Sequence, residues 1–238
     1  MIQIIDFKKH KLFQSDVNDC VKTICSLLEP SNGQKYFLDL GCNDGSKTIV
    51  FAASLGIKNN FTVGADINYK LLKCAKGNEI NPIKCNFDRD LPFKSETFDV
   101  IVSNQVIEHL SDTDLFLRNV YRVLKKNGYA IIGTENISYW ANIVVMFFGY
   151  QAFSQNISDY FHVGNPLSRF GGPNFPEGSA MDTHKRIFSI RGLPALLTKY
   201  NFKIESVLGA GFAPLPSFLA KCDKIHARFL VVKARKIS

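Results

Sequence analysis

Short apolar runs alternate with polar breaks through residue 133, and their spacing predicts strands and helices in turn. Strands are predicted from continuous apolar runs at 36–40, 61–66, 83–87, 98–103 and 129–133. Helices are predicted between them, where apolar residues recur at intervals of three and four, at 15–28, 47–55, 69–75 and 111–125. In the last of these helices, Ser111 and Asp114 resemble a capping box. This alternation is typical of βαβ units, so we predict an α/β fold with a mainly parallel sheet covered by helices on both faces.

The same alternation returns near the end of the chain. A helix is predicted over 192–200, with strands at 202–208 and 229–234, which brings the predicted sheet to seven strands. The connection between the last two strands offers little length for a parallel crossover. Residues 215–225 therefore have two interpretations, a short helix or the link of an antiparallel pair.

Residues 138–183 interrupt the alternation, and we call them the aromatic insertion. They are rich in aromatic side chains, namely Trp140, Phe147, Phe148, Tyr150, Phe153, Tyr160 and Phe161. A long irregular segment within a compact domain is often a functional lid. We predict one domain over 1–238, with the aromatic insertion as a cover for an apolar substrate. Packing of the rings onto the sheet, or against a second subunit, is the alternative interpretation.

Composition and cysteine usage argue against a disordered chain, a zinc protein, a secreted protein and a membrane-spanning protein. With 46% hydrophobic and 21% charged residues, the chain has ordinary globular composition. The six cysteines form no C-x-x-C pair and lie beside no histidine at zinc-ligand spacing, which predicts a reducing, cytoplasmic setting and no metal. No secretory signal is recognisable at the start, and no apolar run approaches the roughly 20 residues of a transmembrane helix.

The formal net charge of +8 raises the question of a nucleic-acid or membrane partner. Basic residues form two modest clusters, at 8–11 and 221–236, without the interleaved aromatic residues that would stack on bases. We therefore expect no stable nucleic-acid partner. A homodimer is a further expectation.

Candidate chemistry begins where the first predicted strand ends, at residues 39–45. Small residues there allow a ligand close to the backbone, and the next helix offers its unpaired N–H groups. The dinucleotide pattern G-x-G-x-x-G fails on spacing, and the phosphate-binding pattern G-x-x-x-x-G-K-[ST] fails because Ser46 stands in place of its lysine. A tight turn without a ligand is the alternative interpretation of this loop.

Asp66 adds a second candidate, at the end of the second predicted strand and about 25 residues after Gly41. A carboxylate in this place can accept hydrogen bonds from both hydroxyls of a ribose. A helix N-cap is the other interpretation. Together with the preceding loop, Asp66 favours ribose recognition.

Five segments in order resemble the motifs of class I S-adenosylmethionine-dependent methyltransferases of the small-molecule, methyltransferase-11-like type. They are Leu38 to Ser46, Val63 to Ile67, residues 85–93 with 98–101, residues 106–110 and residues 123–128. The resemblance covers roughly 35–136 and returns more weakly at 184–202 and 229–236. It implies a Rossmann-like methyltransferase fold and S-adenosyl-L-methionine as the cofactor.

The resemblance also implies which residues surround that cofactor. These are Asp39, Gly41, Cys42, Asn43 and Gly45 at the methionine, Asp66 at the ribose, Ile67, Asn86 and Phe87 at the adenine, and Asn104 near the reacting sulfur. The sequence departs from the family pattern at two of these positions. Asn43 replaces the usual middle glycine of the first motif. Asn86 stands where an aspartate often binds the adenine amino group, although an amide oxygen accepts the same hydrogen bond.

A general base helps methyl transfer when the acceptor must lose a proton, as a hydroxyl must. The candidates are Glu108, His109 and His184, with His162 in the aromatic insertion as a fourth. The alternative interpretations are a structural turn for the Glu108-His109 pair and a surface loop for His184. The sequence does not specify the acceptor atom.

The predicted function is thus methyl transfer from S-adenosylmethionine to a small-molecule or lipid-like acceptor. An RNA methyltransferase is the first alternative, suggested by the charge. Such an enzyme would need a separate RNA-binding module, and none is recognisable in this sequence. Residues Ser103 to Val106 stand where base-amine methylases often carry an Asn-Pro-Pro-Tyr-like tetrapeptide. A catalytically silent relative that binds the cofactor and acts through a protein partner is the second alternative.

Overall fold

A seven-stranded sheet, in the order β3-β2-β1-β4-β5-β7-β6, forms the centre of the molecule. The computed structural model describes residues 2–31, 34–58, 61–78, 80–158, 161, 163–166 and 184–237, and among these the side chains from Phe13 onward. The strands are β1 (Phe37–Leu40), β2 (Thr62–Asp66), β3 (Asn81–Lys84), β4 (Phe98–Asn104), β5 (Leu124–Glu135), β6 (Phe202–Ala210) and β7 (Phe229–Lys236).

Strands β1 to β5 run parallel, whereas β7 is antiparallel to both β5 and β6. The predicted seven-stranded, mainly parallel sheet is therefore confirmed. The connection that the sequence left open contains a short helix, and its two strands are antiparallel. Both interpretations of 215–225 thus hold at once.

Helices alternate with the strands. They are α1 (Ile2–Leu27), α2 (Ser46–Leu55), α3 (Tyr69–Gly77), α4 (Thr113–Val123), α5 (Trp140–Phe147), α6 (Gly192–Lys199) and α7 (Leu219–Cys222), with a 3₁₀ turn at Ile107–His109. Among the described residues, no helix combines the length and the hydrophobicity that crossing a membrane requires. All six cysteines are free thiols.

Successive side chains of the central strands enter two separate cores, because strand side chains alternate between the two faces of a sheet. Phe37 and Val100 pack with Ile24 of α1 and Phe51 of α2 on one face. On the other face, β-strand residues pack with those of α4 and α6, and examples are Leu38, Ile101, Phe116 and Leu193. Burial on both faces explains why the central strands are continuous apolar runs.

Two predicted element boundaries are wrong for identifiable reasons. Helix α1 begins at Ile2 rather than at residue 15, because the basic stretch at 8–11 hides the apolar period. Strand β3 begins before Pro82 rather than after it. Since β3 lies at the edge of the sheet, Pro82 can face away from the ladder, where its missing N–H costs no hydrogen bond.

The predicted capping box at Ser111 is also wrong. Helix α4 is capped by Asp112, whose carboxylate accepts a hydrogen bond from the Leu115 amide at 2.8 Å. The Ser111 amide instead donates to Asp88 Oδ1 at 2.7 Å. Helix α4 ends at Val123, and the predicted helical residues 124 and 125 belong to β5.

The strand order turns back between β1 and β4, which are neighbours in the sheet although β2 and β3 lie between them in the chain. At such a switch point the loops leaving the two strands diverge in opposite directions and open a crevice at the carboxyl ends. The fold therefore places the loop after β1, the end of β2 and the end of β4 around one space.

Candidate active site

A cavity of about 850 Å³ fills this crevice. It is lined by nine of the ten residues that the sequence proposes for the cofactor, namely Asp39, Gly41, Cys42, Asn43, Asp66, Ile67, Asn86, Phe87 and Asn104. The tenth, Gly45, does not line the cavity and precedes α2 as its N-cap. Residues from four separate stretches of the chain thus meet at one place.

The loop after β1 owes its shape to three residues in the left-handed region, Gly41, Asn43 and Gly45, with φ of 87°, 54° and 81°. Asparagine tolerates this region better than other residues with a side chain. Asn43 therefore keeps the conformation that the usual glycine would give. The amides of Gly41 and Cys42 both donate to the Ala65 carbonyl, at 2.8 and 3.1 Å, which ties the loop to β2.

Gly41 has no room for a side chain. A Cβ atom there would lie 2.3 Å from Cγ2 of Val106, in addition to the strain of the positive φ. We expect Gly41→Ala to lower the free energy of unfolding by about 2 kcal/mol, measured by urea denaturation. Gly77→Ala is the matched control, because a Cβ there meets nothing within 4 Å at the end of α3.

Adding Val106→Ala to Gly41→Ala should restore part of the lost stability, because it removes the steric clash and leaves only the backbone strain. Equal unfolding free energies for Gly41→Ala and Gly77→Ala would contradict this account of the loop.

Asp66 joins the loop to the next helix. Its Oδ2 accepts a hydrogen bond from the Asn43 amide at 2.9 Å, and its Oδ1 accepts one from the Asn68 amide at 2.8 Å. The N-cap of α3 is Asn68, whose side chain accepts from the amides of Lys70 and Leu71. The alternative interpretation of Asp66 as a helix N-cap is therefore wrong.

Asp39 lies at the bottom of the cavity with its carboxyl group almost completely buried. Burial raises the pKa of this carboxyl to about 7, against the opposing effects of the Thr48 hydroxyl, which donates to Oδ2 at 2.6 Å, and of Lys47. A cationic ligand beside Asp39 would favour its ionised form.

Apolar side chains also line the cavity, among them Ile67, Leu71 and Phe87. Ile67, the residue after β2, is 59% exposed, so its side chain is available to cover a flat ring. Asn86 is exposed and its Oδ1 accepts from the Asp88 amide at 3.0 Å. Apolar side chains beside a strand-end carboxylate fit a nucleoside, and the residues present therefore fit S-adenosylmethionine.

Asn104 enters the cavity from the end of β4. Its Oδ1 accepts a hydrogen bond from the Cys20 thiol at 3.3 Å, which connects α1 to the site. Burial raises the pKa of the Cys20 thiol, so this group stays a neutral donor. The following residue, Gln105, turns the chain with a positive φ and donates its amide to the Gly133 carbonyl at 2.8 Å.

Three titratable side chains meet beside the cavity, and we call them the His–Glu cluster: Glu108, His109 and His184. Their side-chain ligand atoms all lie within 4.8 Å of one another. His109 lines the cavity, whereas Glu108 is fully buried and His184 is not part of the lining. The structure thus brings together the three candidate bases from the sequence. The fourth, His162, lies outside the described residues.

Backbone hydrogen bonds hold the two parts of the cluster together. The amides of Lys185 and Arg186 donate to the Glu108 carbonyl at 2.8 and 3.1 Å. The rings of His109 and His184 pack edge to face with their centroids 4.8 Å apart. The arrangement therefore depends on the backbone of the fold as well as on contacts between side chains.

The described part of the aromatic insertion contains α5 and the stretch after it. Trp140 packs on a small apolar cluster, but Phe147 and Phe148 are 84% and 70% exposed. Packing of all the rings onto the sheet is therefore wrong for these two. The Ser154 carbonyl approaches His184 Nδ1 at 2.7 Å, so the insertion touches the His–Glu cluster.

Several cavity residues were missed by the sequence reasoning, among them Lys47, Asn68, Leu71, Asp88 and Lys185. Two of them could have been found from the sequence, because Lys47 lies in the first turn of α2 and Asn68 just before α3. Helix N-termini in such positions face ligands. Asp88 and Lys185 had none, because their approach depends on tertiary contacts.

Residues 38–132 match the family model described as a methyltransferase domain. With the fold and the cavity, this match supports a class I S-adenosylmethionine-dependent methyltransferase domain over these residues, with S-adenosylmethionine as the expected cofactor.

The chain is similar to the ubiquinone biosynthesis O-methyltransferase of Mesorhizobium japonicum, with 35% identity over 123 residues that cover 43% of this chain and 48% of that protein. The mitochondrial ubiquinone biosynthesis O-methyltransferase of Rattus norvegicus is 26% identical over 202 residues, which cover 80% of this chain and 50% of the relative. The chain thus spans about half the length of these relatives.

Among solved structures, an S-adenosylmethionine-dependent methyltransferase from Thermotoga maritima superposes with a TM-score of 0.61. The superposition covers 99% of this chain and 97% of that one, at 18% identity. Identity this low shows the shared fold alone.

Proposed function

We propose that the protein transfers a methyl group from S-adenosylmethionine to a hydroxyl group of a small, lipid-like or aromatic acceptor. The observation that carries this proposal is the position of the His–Glu cluster beside the cavity at the strand ends, with His109 in its wall. The O-methyltransferases among the relatives support a hydroxyl acceptor. The cytoplasmic location and the homodimer stay predictions.

The cavity residues divide among the parts of the cofactor. Asp66 would hold the ribose hydroxyls, Ile67 would cover the adenine, and Gly41 and Asp39 would lie at the methionine. When bound, S-adenosylmethionine supplies a methyl carbon made electrophilic by a positive sulfur, which keeps the electrons of the broken C–S bond.

The chain itself orients the reactants and helps to move a proton. Alignment of two reactants can contribute roughly 7–11 kcal/mol to lowering a barrier. The acceptor O–H bond must break as the oxygen attacks, and the His–Glu cluster lies at the cavity wall where it can assist that ionisation. The exposed rings of Phe147 and Phe148 provide apolar surface for a lipid-like acceptor.

The basic residues near the end of the chain do not favour an RNA acceptor. Lys233 and Arg235 both contact Glu29, at 2.5 and 2.6 Å. Lys236 lies 3.6 Å from Glu96. Since these cations are already paired with carboxylates, they offer less attraction to phosphates than their number suggests.

Thermal unfolding with different nucleotides tests the cofactor. We expect a saturating excess of S-adenosylmethionine or S-adenosylhomocysteine, about 100 times the dissociation constant, to stabilise the fold by about 2.7 kcal/mol. This corresponds to roughly 5–10 °C for a domain of this size. NAD is the control and should give no shift, because the loop after β1 lacks the dinucleotide pattern. A shift with NAD alone would contradict the proposal.

Transfer to an acceptor is then measured with S-adenosylmethionine labelled in the methyl group. Phenols with and without an isoprenoid chain should accept the label. Exclusive labelling of RNA would overturn the acceptor class and leave the cofactor assignment intact.

A further inference from the structure

We propose that the His–Glu cluster binds a divalent transition-metal ion of the Zn²⁺ type, which positions and ionises the acceptor hydroxyl. This inference deepens the proposed function and rests on it for the identity of the acceptor. It departs from the expectation of no metal, which came from the absence of ligands at short spacing. Here the ligands come from two distant segments that only the fold brings together.

The donor set matches this class of ion. Catalytic zinc sites use three protein ligands, two histidines and one glutamate among the known combinations, and keep one position open. Magnesium and calcium prefer oxygen ligands, so a pair of imidazoles argues against them. Glu108, His109 and His184 supply this set, with every pair of ligand atoms within 4.8 Å. Two ligands on one zinc ion stand about 3.3–4 Å apart, so small side-chain rotations close the site.

Hydrogen bonds around the cluster orient two of its three side chains, those of His184 and Glu108. A carbonyl oxygen can only accept, so the 2.7 Å contact between His184 Nδ1 and the Ser154 carbonyl places a proton on Nδ1. In a neutral ring with this proton, the free lone pair is on Nε2, which is the nitrogen that could bind a metal. Thr134 Oγ1 donates to Glu108 Oε2 at 2.8 Å and fixes the carboxylate. Partners of this kind orient the ligands in metal sites.

The charges of the cluster also favour a metal. Glu108 is fully buried, and a buried carboxylate is normally balanced by a cation. A single divalent ion accommodates the carboxylate and both neutral imidazoles at once.

The fourth position would face the cavity, because His109 belongs to both the cluster and the cavity wall. An acceptor hydroxyl bound there has its pKa lowered by the ion. Its O–H bond breaks and the proton leaves to solvent water, while the oxygen keeps the electron pair that later forms the bond to the methyl carbon. No oxidant or reductant takes part.

Cobalt is a suitable probe, because Co²⁺ replaces Zn²⁺ and absorbs visible light in sites of low symmetry. The full chain is stripped with a chelator and titrated with Co²⁺ alone. We expect a visible band that saturates at one ion per chain and disappears when Zn²⁺ is added. Glu108→Gln and His184→Asn should each weaken Co²⁺ binding at least about 100-fold. Thr134→Val should weaken it by about 10–100-fold with all three ligands intact.

His226→Asn is the matched control, because His226 is paired with Asp223 outside the cluster, and its titration should equal that of the unmodified chain. A near-ultraviolet thiolate band would instead assign the ion to Cys74 or Cys222, which are exposed, and would overturn the proposal. Unchanged Co²⁺ affinity in Glu108→Gln and His184→Asn would also overturn the proposal.

The thermal shift with S-adenosylmethionine, measured on the same variants, shows that they fold and separates the two proposals. A shift without a cobalt band overturns the metal site and leaves the methyltransferase assignment intact. A cobalt band without a thermal shift would support the metal site and overturn the assignment of S-adenosylmethionine as the cofactor.

Discussion

Replacing Asp66 by alanine is expected to weaken S-adenosylmethionine binding at least about 100-fold. A hydrogen bond to a charged group contributes about 1.5–3 kcal/mol, and Asp66 would make two such bonds to the ribose. The same carboxylate accepts from the Asn43 and Asn68 amides, so alanine also removes the connection between the loop after β1 and α3. Affinity therefore falls through lost contacts and through a less ordered loop.

Titration calorimetry measures this loss directly. Asp66→Asn should retain intermediate affinity, because its amide oxygen accepts hydrogen bonds without the charge. Asp114→Asn, at an exposed position of α4, controls for the change in net charge and should bind like the unmodified chain. Binding by Asp66→Ala within threefold of normal would show that the ribose lies elsewhere.

Asp39→Asn is expected to stabilise the fold and to impair cofactor binding. The pKa of Asp39, about 7, lies above the ordinary value of 3.8, so the folded chain holds this proton more tightly than the unfolded chain. The stability associated with that proton is fully present below about pH 4 and is lost as the pH rises through 7. At about pH 8 the buried carboxylate is charged, and the neutral amide avoids a cost on the order of 2–4 kcal/mol.

Thermal unfolding at several pH values checks this prediction. The melting temperature of Asp39→Asn should exceed that of the unmodified chain by roughly 5–10 °C at about pH 8 and by much less at about pH 5. Thr48 can still donate to the amide oxygen, so packing is preserved. Binding of S-adenosylmethionine should weaken, because the charge that faces a cationic ligand is gone. A variant that is equally destabilised at both pH values would indicate a purely structural role.

Much of the fold was predictable because burial on both faces of the sheet determines where apolar residues occur in the sequence. The central strands are continuous apolar runs, and the helices between them show their apolar stripes. The edges were harder to predict. Pro82 in β3 argues against a strand unless its position at the sheet edge is known, and the direction of β7 depends on pairings with two other strands.

The meeting of the proposed cofactor residues was predictable for a topological reason, since residues at the ends of parallel strands must lie at one edge of the sheet. Asp39, Gly41 and Asp66 are examples. The finer features of the site depend on contacts between distant parts of the chain. The pKa of Asp39 follows from burial, and the contact between His184 and Ser154 joins two loops whose geometry no local pattern specifies. The candidate bases were predictable as residue types but not as one cluster.

The close approach of Gly41 to Val106 has an evolutionary consequence. One residue belongs to the loop that would receive the cofactor, and the other directly precedes the turn that carries Glu108 and His109. A larger residue at position 41 requires a smaller one at position 106 and still carries the strain of the positive φ, so position 41 is constrained twice. A substitution in the loop proposed to hold the cofactor thus depends on the residue that precedes the proposed acceptor site.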